Sequence, residues 1–261
     1  MNPAEARHAF VTGGASGIGL GIAEALAARG VPVTVADIDA ESLADAVAGH
    51  GGALRAQQLD VRDRAGWARA RAEAEAALGP VDILVNNAGI APSGKGFADL
   101  DPADFDRVLA INLVGVFNGV HTFAAAMRER GRGHIVNTSS MAGLSFVAQG
   151  VGDYSVAKFG VIALSEGLRD ELAPHGVGVS VLCPGLVTTN LGRNAVKLGA
   201  RPLSDNLDMP HSDTTARDVG ETVMRGIERN LAHIVTHKGQ GWRAERRHEA
   251  IRAAFAEFEG D

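Results

Sequence analysis

Seven short runs of apolar and β-branched residues alternate with longer amphipathic stretches along this chain, and no other feature narrows its fold as much. The strand candidates are Ala9 to Thr12, Val31 to Ala36, Leu54 to Leu59, Val81 to Asn86, His134 to Thr138, Gly178 to Leu182 and Ala232 to Thr236. Helix candidates fill the gaps near Gly17 to Ala28, Ala40 to Ala48, Ala65 to Leu78, Pro102 to Arg130, Tyr154 to Pro174 and Ala216 to Arg229, and a last one runs from Trp242 to Phe258. Strands that alternate one for one with helices lie parallel, because each crossover helix carries the chain back over a face of the sheet. The runs at Val81 to Val85 and His134 to Asn137 are short and apolar, as strands covered on both faces are. The expectation is an α/β fold, a doubly wound sheet of seven parallel strands with helices on both faces. Its 261 residues form one domain, 1–261, long enough for a single large core. One interval breaks the rhythm: the 29 residues from Gly185 to Asp213 lack periodicity and hold Asn, Gly, Pro and Asp breakers. In a compact domain that predicts a substrate lid, here at residues 186–214.

Composition removes several classes of function. A formal net charge of -6, from 31 acids against 25 bases, argues against a nucleic-acid partner, which calls for a basic face. Cys183 is the sole cysteine, so no internal disulfide and no cysteine-based zinc cluster can form, and a reducing cytoplasm is the expected compartment. Met1 to His8 lacks a signal pattern, and no run of about 18 apolar residues is expected to span a bilayer, so no membrane partner is expected. No metal-ligand spacing such as H-E-x-x-H occurs among the nine histidines; His121, His134, His211 and the rest read as surface or packing residues. Cys183, between a strand and Pro184, reads as a small buried filler.

Directly after the first strand stands Thr12-Gly13-Gly14-Ala15-Ser16-Gly17-Ile18-Gly19, followed at once by a helical pattern. Glycines in such a turn let backbone approach a pyrophosphate, and the helix N-terminus offers unpaired N–H groups and a positive dipole end. Candidate binding residues are Gly13, Ser16, Gly17, Ile18 and Gly19. Asp37 ends the second strand 18 residues past Gly19, near the spacing at which a carboxylate meets a ribose 2′-hydroxyl. The same carboxylate repels a 2′-phosphate, and neither Ala15, Ser16 nor Ile38 supplies a base to attract one, so NAD is favoured over NADP as cofactor.

Other polar groups fall at the carboxyl ends of later strands: Asp60-Val61, Asn86-Asn87-Ala88-Gly89, Ser139-Ser140 and Pro184-Gly185. An open parallel sheet collects those ends in one crevice. Close behind comes Tyr154, the only tyrosine, four residues before Lys158 in a helical stretch, which stacks phenol and ammonium on one face. A phenol of ordinary pKa about 10 exchanges protons near neutrality only when a cation favours the phenolate. Lys158 is expected to be that cation, helped by a second positive charge.

These motifs resemble, over nearly the whole chain, those of the short-chain dehydrogenase/reductase family with its Rossmann sheet. Thr12 to Gly19 matches the family's T-G-x-x-x-G-x-G, Asn86 to Gly89 its N-N-A-G, Ser140 with Tyr154 and Lys158 its catalytic set, and Pro184-Gly185-x-Val187-x-Thr189 its nicotinamide-side motif. Asn112 sits where the family carries a fourth catalytic residue, which spacing alone does not single out. The 14 residues from Ser140 to Tyr154 are about one more than in many members, leaving Ser139 and Ser140 as alternatives for the substrate-facing hydroxyl, with Ser140 preferred. The resemblance implies reversible hydride transfer between a nicotinamide and a secondary alcohol. Tyr154 would act as acid/base, Ser140 hold the oxygen, Lys158 support the phenolate and bind the nicotinamide ribose, and Asn112 order a water. It also implies cofactor contacts at Asp37, Ile38, Asp60, Val61, Asn87, Ala88, Gly89, Pro184, Gly185, Val187 and Thr189, and a homotetramer or homodimer.

The substrate walls expected from this arrangement are Ala91 to Phe97, Met141 to Gly152 and the lid. Leu144, Phe146, Val147, Leu186 and Leu191 make them mainly apolar, which favours a medium-sized hydrophobic or aromatic alcohol or ketone. Arg193, Lys197 and Arg201 on the lid are nearly cancelled by Asp205, Asp208 and Asp213. The alternatives are a 3-oxoacyl thioester reductase of the same family and, as a non-enzyme, an NAD-binding sensor. Asp37 speaks against the first, and the intact Ser140, Tyr154 and Lys158 against the second.

Overall fold

The structure is a computed structural model that describes residues 1–187 and 213–259. Its elements in chain order are β1 Ala9–Thr12, α1 Gly17–Ala27, β2 Val33–Asp37, α2 Ala40–Ala48, β3 Leu54–Gln58, α3 Arg64–Leu78, β4 Ile83–Asn86, α4 Pro102–Leu109, α5 Gly115–Arg130, β5 Gly133–Thr138, α6 Gly152–Leu172, β6 Val177–Cys183, α7 Ala216–Glu228, β7 His233–Val235 and α8 Gly241–Glu259. The seven strands form one sheet in the order β3-β2-β1-β4-β5-β6-β7, every pair parallel. From β1 the chain winds outward to β3, then returns to β4 on the other side of β1, so the order reverses between β1 and β4. Ligand crevices of open α/β sheets lie there, outside the carboxyl ends of the strands.

Burial follows position in the sheet. Strands β1, β4 and β5 are buried throughout, whereas the edge strands β3 and β7 expose residues because each has one neighbour only. One face packs Ile22 and Leu26 of α1 and Val223 and Ile227 of α7 against the sheet. The other face centres on Phe10, Trp67 and Phe123, whose ring centroids lie 5.3–6.3 Å apart, with the Trp67 indole N–H donating to Val61 O at 3.0 Å. Local chemistry sets the element ends. Asp63 and Asp101 cap α3 and α4, Pro102 opens α4, Thr215 and Asp218 form a capping box on α7, and Gly131 closes α5 in the left-handed conformation.

Two helix expectations need correction. Pro102 to Arg130, expected as one uniform helix, contains a π-helical turn at Ala110–Val114. A single inserted residue leaves the apolar period almost unchanged, so the pattern does not reveal it. The predicted helix from Tyr154 begins two residues earlier, at Gly152, and stops at Leu172, with Pro174 in the following 3-10 turn. The Pro102–Arg130 stretch also has a mean hydropathy of 1.6 over its most apolar window, enough to cross a membrane by length and composition. Half of that window is buried in the fold, where Val116, Val120, Phe123 and Met127 join the core.

Candidate active site

The first glycine turn is stitched to the end of β4. The Thr12 hydroxyl oxygen accepts from Asn87 N at 3.0 Å and Ala88 N at 3.1 Å, while Asn87 Nδ2 donates to Thr12 O and Gly13 O at 3.2 and 3.3 Å. Gly13 has φ +61, and a Cβ on Gly19 would lie 2.1 Å from Gly13 O and 2.6 Å from Asn87 Nδ2. Any side chain at Gly19 would therefore break the turn. Ser16, at the N-cap of α1, makes no capping bond with its side chain, so the positive end of that helix stays available to an anion.

Asp37 ends β2 beside this turn. Its carboxylate accepts from Ala15 N at 3.4 Å and Asp39 N at 3.2 Å. Burial raises its pKa and those backbone donors pull it back. Gly13, Asp37, Ile38, Asp60, Val61, Ala88 and Gly89, all named from the sequence, line one cleft. A dinucleotide fits this donor set: N–H groups and a helix end for the pyrophosphate, and a carboxylate for the ribose hydroxyls. Arg62 also lines the cleft, a base that spacing from the turn does not flag. It is held by Asp60, with Nη2 2.6 Å from Oδ2 and Nε 2.9 Å from Oδ1, and the pair lowers the Asp60 pKa.

The catalytic candidates meet at the ends of β4 and β5. Ser140 caps the 3-10 turn Met141–Gly143; its hydroxyl oxygen accepts from Ala142 N at 3.1 Å, and its side chain pulls the Tyr154 pKa down. Ser139 is buried and donates to Lys158 O at 2.8 Å, which leaves Ser140 as the serine that acts on the phenol. Tyr154 lies in the first turn of α6 and Lys158 one turn on, 3% exposed, its Nζ donating to Thr138 O at 2.8 Å and lying 5.3 Å from the Tyr154 ring centroid. Asn112 sits in the π turn, completely buried, its Oδ1 accepting from Ile90 N at 2.8 Å and its Nδ2 donating to Ile90 O at 3.0 Å.

Electrostatics add an effect that spacing does not show. Burial pushes Tyr154 up to about 12, and Ser140 pulls it in the other direction. Burial likewise pushes Lys158 down to about 8. The ammonium faces the ring and is bonded to Thr138 O, and its own desolvation weakens it as a charge.

Sequence reasoning also missed Asp153. This fully buried carboxylate accepts from Tyr154 N at 2.7 Å and Ser93 N at 3.0 Å, tying the loop after β4 to the start of α6. Gly94 N donates to Gly150 O at 3.1 Å, joining the two predicted substrate walls. Of the apolar wall residues, Phe97 and Phe146 are exposed, whereas Leu144 packs on the inner cluster of Val116, Val161 and Ile162. Pro184 O accepts from Met141 N at 3.0 Å, and Val187 packs on the α1 side of the core. Thr189, Leu191, Arg193, Lys197, Arg201, Asp205, Asp208 and His211 lie outside the described residues, as does most of the expected lid.

A doubly wound sheet whose switch-point crevice gathers a glycine turn, an acid at the end of β2 and a Tyr–Lys pair has the architecture of a nucleotide-dependent oxidoreductase. The family model described as short chain dehydrogenase matches residues 7–198, and the chain belongs to that family. It is 34% identical to a C alpha-dehydrogenase of Sphingobium sp., over 97% of this chain and 88% of that protein. It is 40% identical to the acetoacetyl-CoA reductase of Rhizobium meliloti, over 72% of this chain and 76% of that one. Among solved structures, a short chain dehydrogenase/reductase from Burkholderia phymatum in complex with NAD superposes with a TM-score of 0.87 at 29% identity, covering 97% of each chain.

Proposed function

We propose that this oxidoreductase depends on NAD and interconverts a secondary alcohol and a ketone on a medium-sized, mainly hydrophobic or aromatic substrate. The observation that carries the reading is the pairing of Tyr154 with buried Lys158, whose Nζ lies 5.3 Å from the ring centroid, beside a cleft that holds Asp37.

Bound nicotinamide supplies the hydride acceptor or donor. Backbone from Gly13 and Ser16 to Gly19 would hold the pyrophosphate, Asp37 and Ile38 the ribose, Asp60 and Val61 the adenine, and Asn87 to Gly89, Lys158, Pro184, Gly185, Val187 and Thr189 the nicotinamide half. Tyr154 takes the alcohol proton onto its phenolate, or returns it in reduction. Ser140 holds the same oxygen by a hydrogen bond and stabilises the charge that develops there. Burial raises the phenol to about 12, and Lys158 together with the positive charge that an oxidised nicotinamide would supply favours the phenolate. Asn112, whose amide pairs with Ile90 N and O, fixes the π turn against the loop after β4 and would order a water beside Lys158. Exposed Val114 and Phe117 lie three residues apart along one helical stretch, and exposed Val156 lies on α6; these apolar side chains support a homodimer or homotetramer.

A panel of secondary alcohols, aryl carbinols included, with NAD and NADP tests the reading by absorbance of the reduced cofactor. Turnover confined to NADPH and an acetoacetyl thioester would replace it with the thioester-reductase reading. For the cofactor, joint replacement Asp37→Ser and Ile38→Arg is expected to shift the NADP-to-NAD ratio of kcat/KM about 100-fold toward NADP, the worth of one or two charge-assisted hydrogen bonds. An unchanged ratio would refute the role of Asp37.

A further inference from the structure

His237, two residues past β7, crosses to the loop that follows β6. Its Nδ1 lies 3.1 Å from Gly185 N and 2.7 Å from the Thr236 hydroxyl, and its Nε2 lies 2.8 Å from Leu186 O. A backbone N–H can only donate and a carbonyl can only accept. Nδ1 is therefore the acceptor from Gly185 N, and Nε2 carries the proton that Leu186 O accepts. Gly185 is shaped to admit the ring. A Cβ there would lie 2.6 Å from His237 Cγ and 2.7 Å from Nδ1, so the imidazole rests against its Cα. Glycine is needed at this point for close approach. The same loop reaches the catalytic hydroxyl, because Pro184 O accepts from the backbone N of Met141, the residue after Ser140. An unbroken path of bonds thus runs from His237 through Gly185 and Pro184 to the turn that carries Ser140.

The geometry points to His237 as a positioning residue for the nicotinamide end of the dinucleotide, clamping Pro184, Gly185 and Leu186 in the shape that receives the ring; this rests on the dinucleotide reading above. Histidine spacing in the sequence grouped it with packing residues, because the contact joins two strand ends about fifty residues apart.

Calorimetric titration with NADH and with ADP-ribose, which carries the adenosine and pyrophosphate but no nicotinamide, separates the two halves of the cleft. Replacement His237→Ala should weaken NADH about 10-fold, as loss of one or two hydrogen bonds does, and leave ADP-ribose within about 2-fold. His237→Asn, which retains an acceptor near the Nδ1 position, should recover most of the NADH affinity. If the alanine variant does not fold, His237→Gln, which removes that acceptor, takes its place. An unchanged NADH-to-ADP-ribose ratio, equal weakening of both, or an asparagine variant no better than alanine would overturn the inference. Wild-type protein that binds neither ligand would overturn the dinucleotide reading itself, and this inference with it.

Discussion

Replacement of Tyr154 by Phe is expected to lower turnover about 10²–10⁴-fold, the range of a lost general acid/base, while NADH affinity stays within a few-fold of wild type. The phenol is the group that Ser140 addresses, and Tyr154 N is held by Asp153 independently of the side chain, so the variant keeps its backbone. Parallel measurement of kcat and of NADH affinity checks this; turnover near the wild-type rate would remove Tyr154 from the chemistry. Because the chain has one tyrosine, its phenol can be titrated by ultraviolet difference absorbance without interference from a second. The titration should fall near pH 12 in cofactor-free protein and move down when NAD is bound.

Lys158→Met should act in opposite directions on stability and activity. Lys158 is 3% exposed and titrates near 8 in place of 10.5. A base whose folded pKa is lowered makes folding costlier wherever its charged form dominates. The cost is full below about pH 8, shrinks as pH rises toward 10.5 and is gone above that. At pH 7 the difference of about 2.5 units corresponds to about 3 kcal/mol, of which loss of the hydrogen bond to Thr138 O gives back about 1 kcal/mol. The cofactor-free variant is therefore expected to be about 2 kcal/mol more stable than wild type at pH 7, with the gain gone by pH 10.5. Denaturant unfolding at both pH values measures it, and a variant less stable at pH 7 would refute it. Turnover in the same variant should drop at least about 100-fold, since the phenolate loses its nearest cation. An ammonium held in an unfavourable place for its chemistry is a common mark of active sites.

Much of the candidate site was legible because its pieces are local. The glycine turn is eight consecutive residues between a strand and a helix, and Tyr154 and Lys158 are one helical turn apart, so chain geometry alone brings each set together. Asp37, Asp60 and Asn87 were legible for a related reason: each ends a strand, and a parallel sheet puts all such ends on one side. Three residues escaped. Asp153 acts through Ser93, Arg62 is defined by its hold on Asp60 within the cleft, and His237 meets Gly185 across two strand ends; none lies at a spacing that announces its partner. The choice between Ser139 and Ser140 was open for the same cause, since neighbours in a chain differ only in what surrounds them: one hydroxyl turns inward to Lys158 O, the other acts on the Tyr154 phenol.

By itself the sequence determined the alternation of strands and helices, the parallel sheet, the crevice and the pairing of Tyr154 with Lys158, because periodicity, glycine placement and residue spacing act over a few residues and need no knowledge of distant neighbours. Only the tertiary structure decided the π turn that seats Asn112, which serine acts on the phenol, the ring that braces Gly185, and the direction in which Tyr154 and Lys158 titrate. Those properties come from desolvation and from hydrogen bonds between residues far apart in the chain, and burial here is an effect that a four-residue spacing does not show.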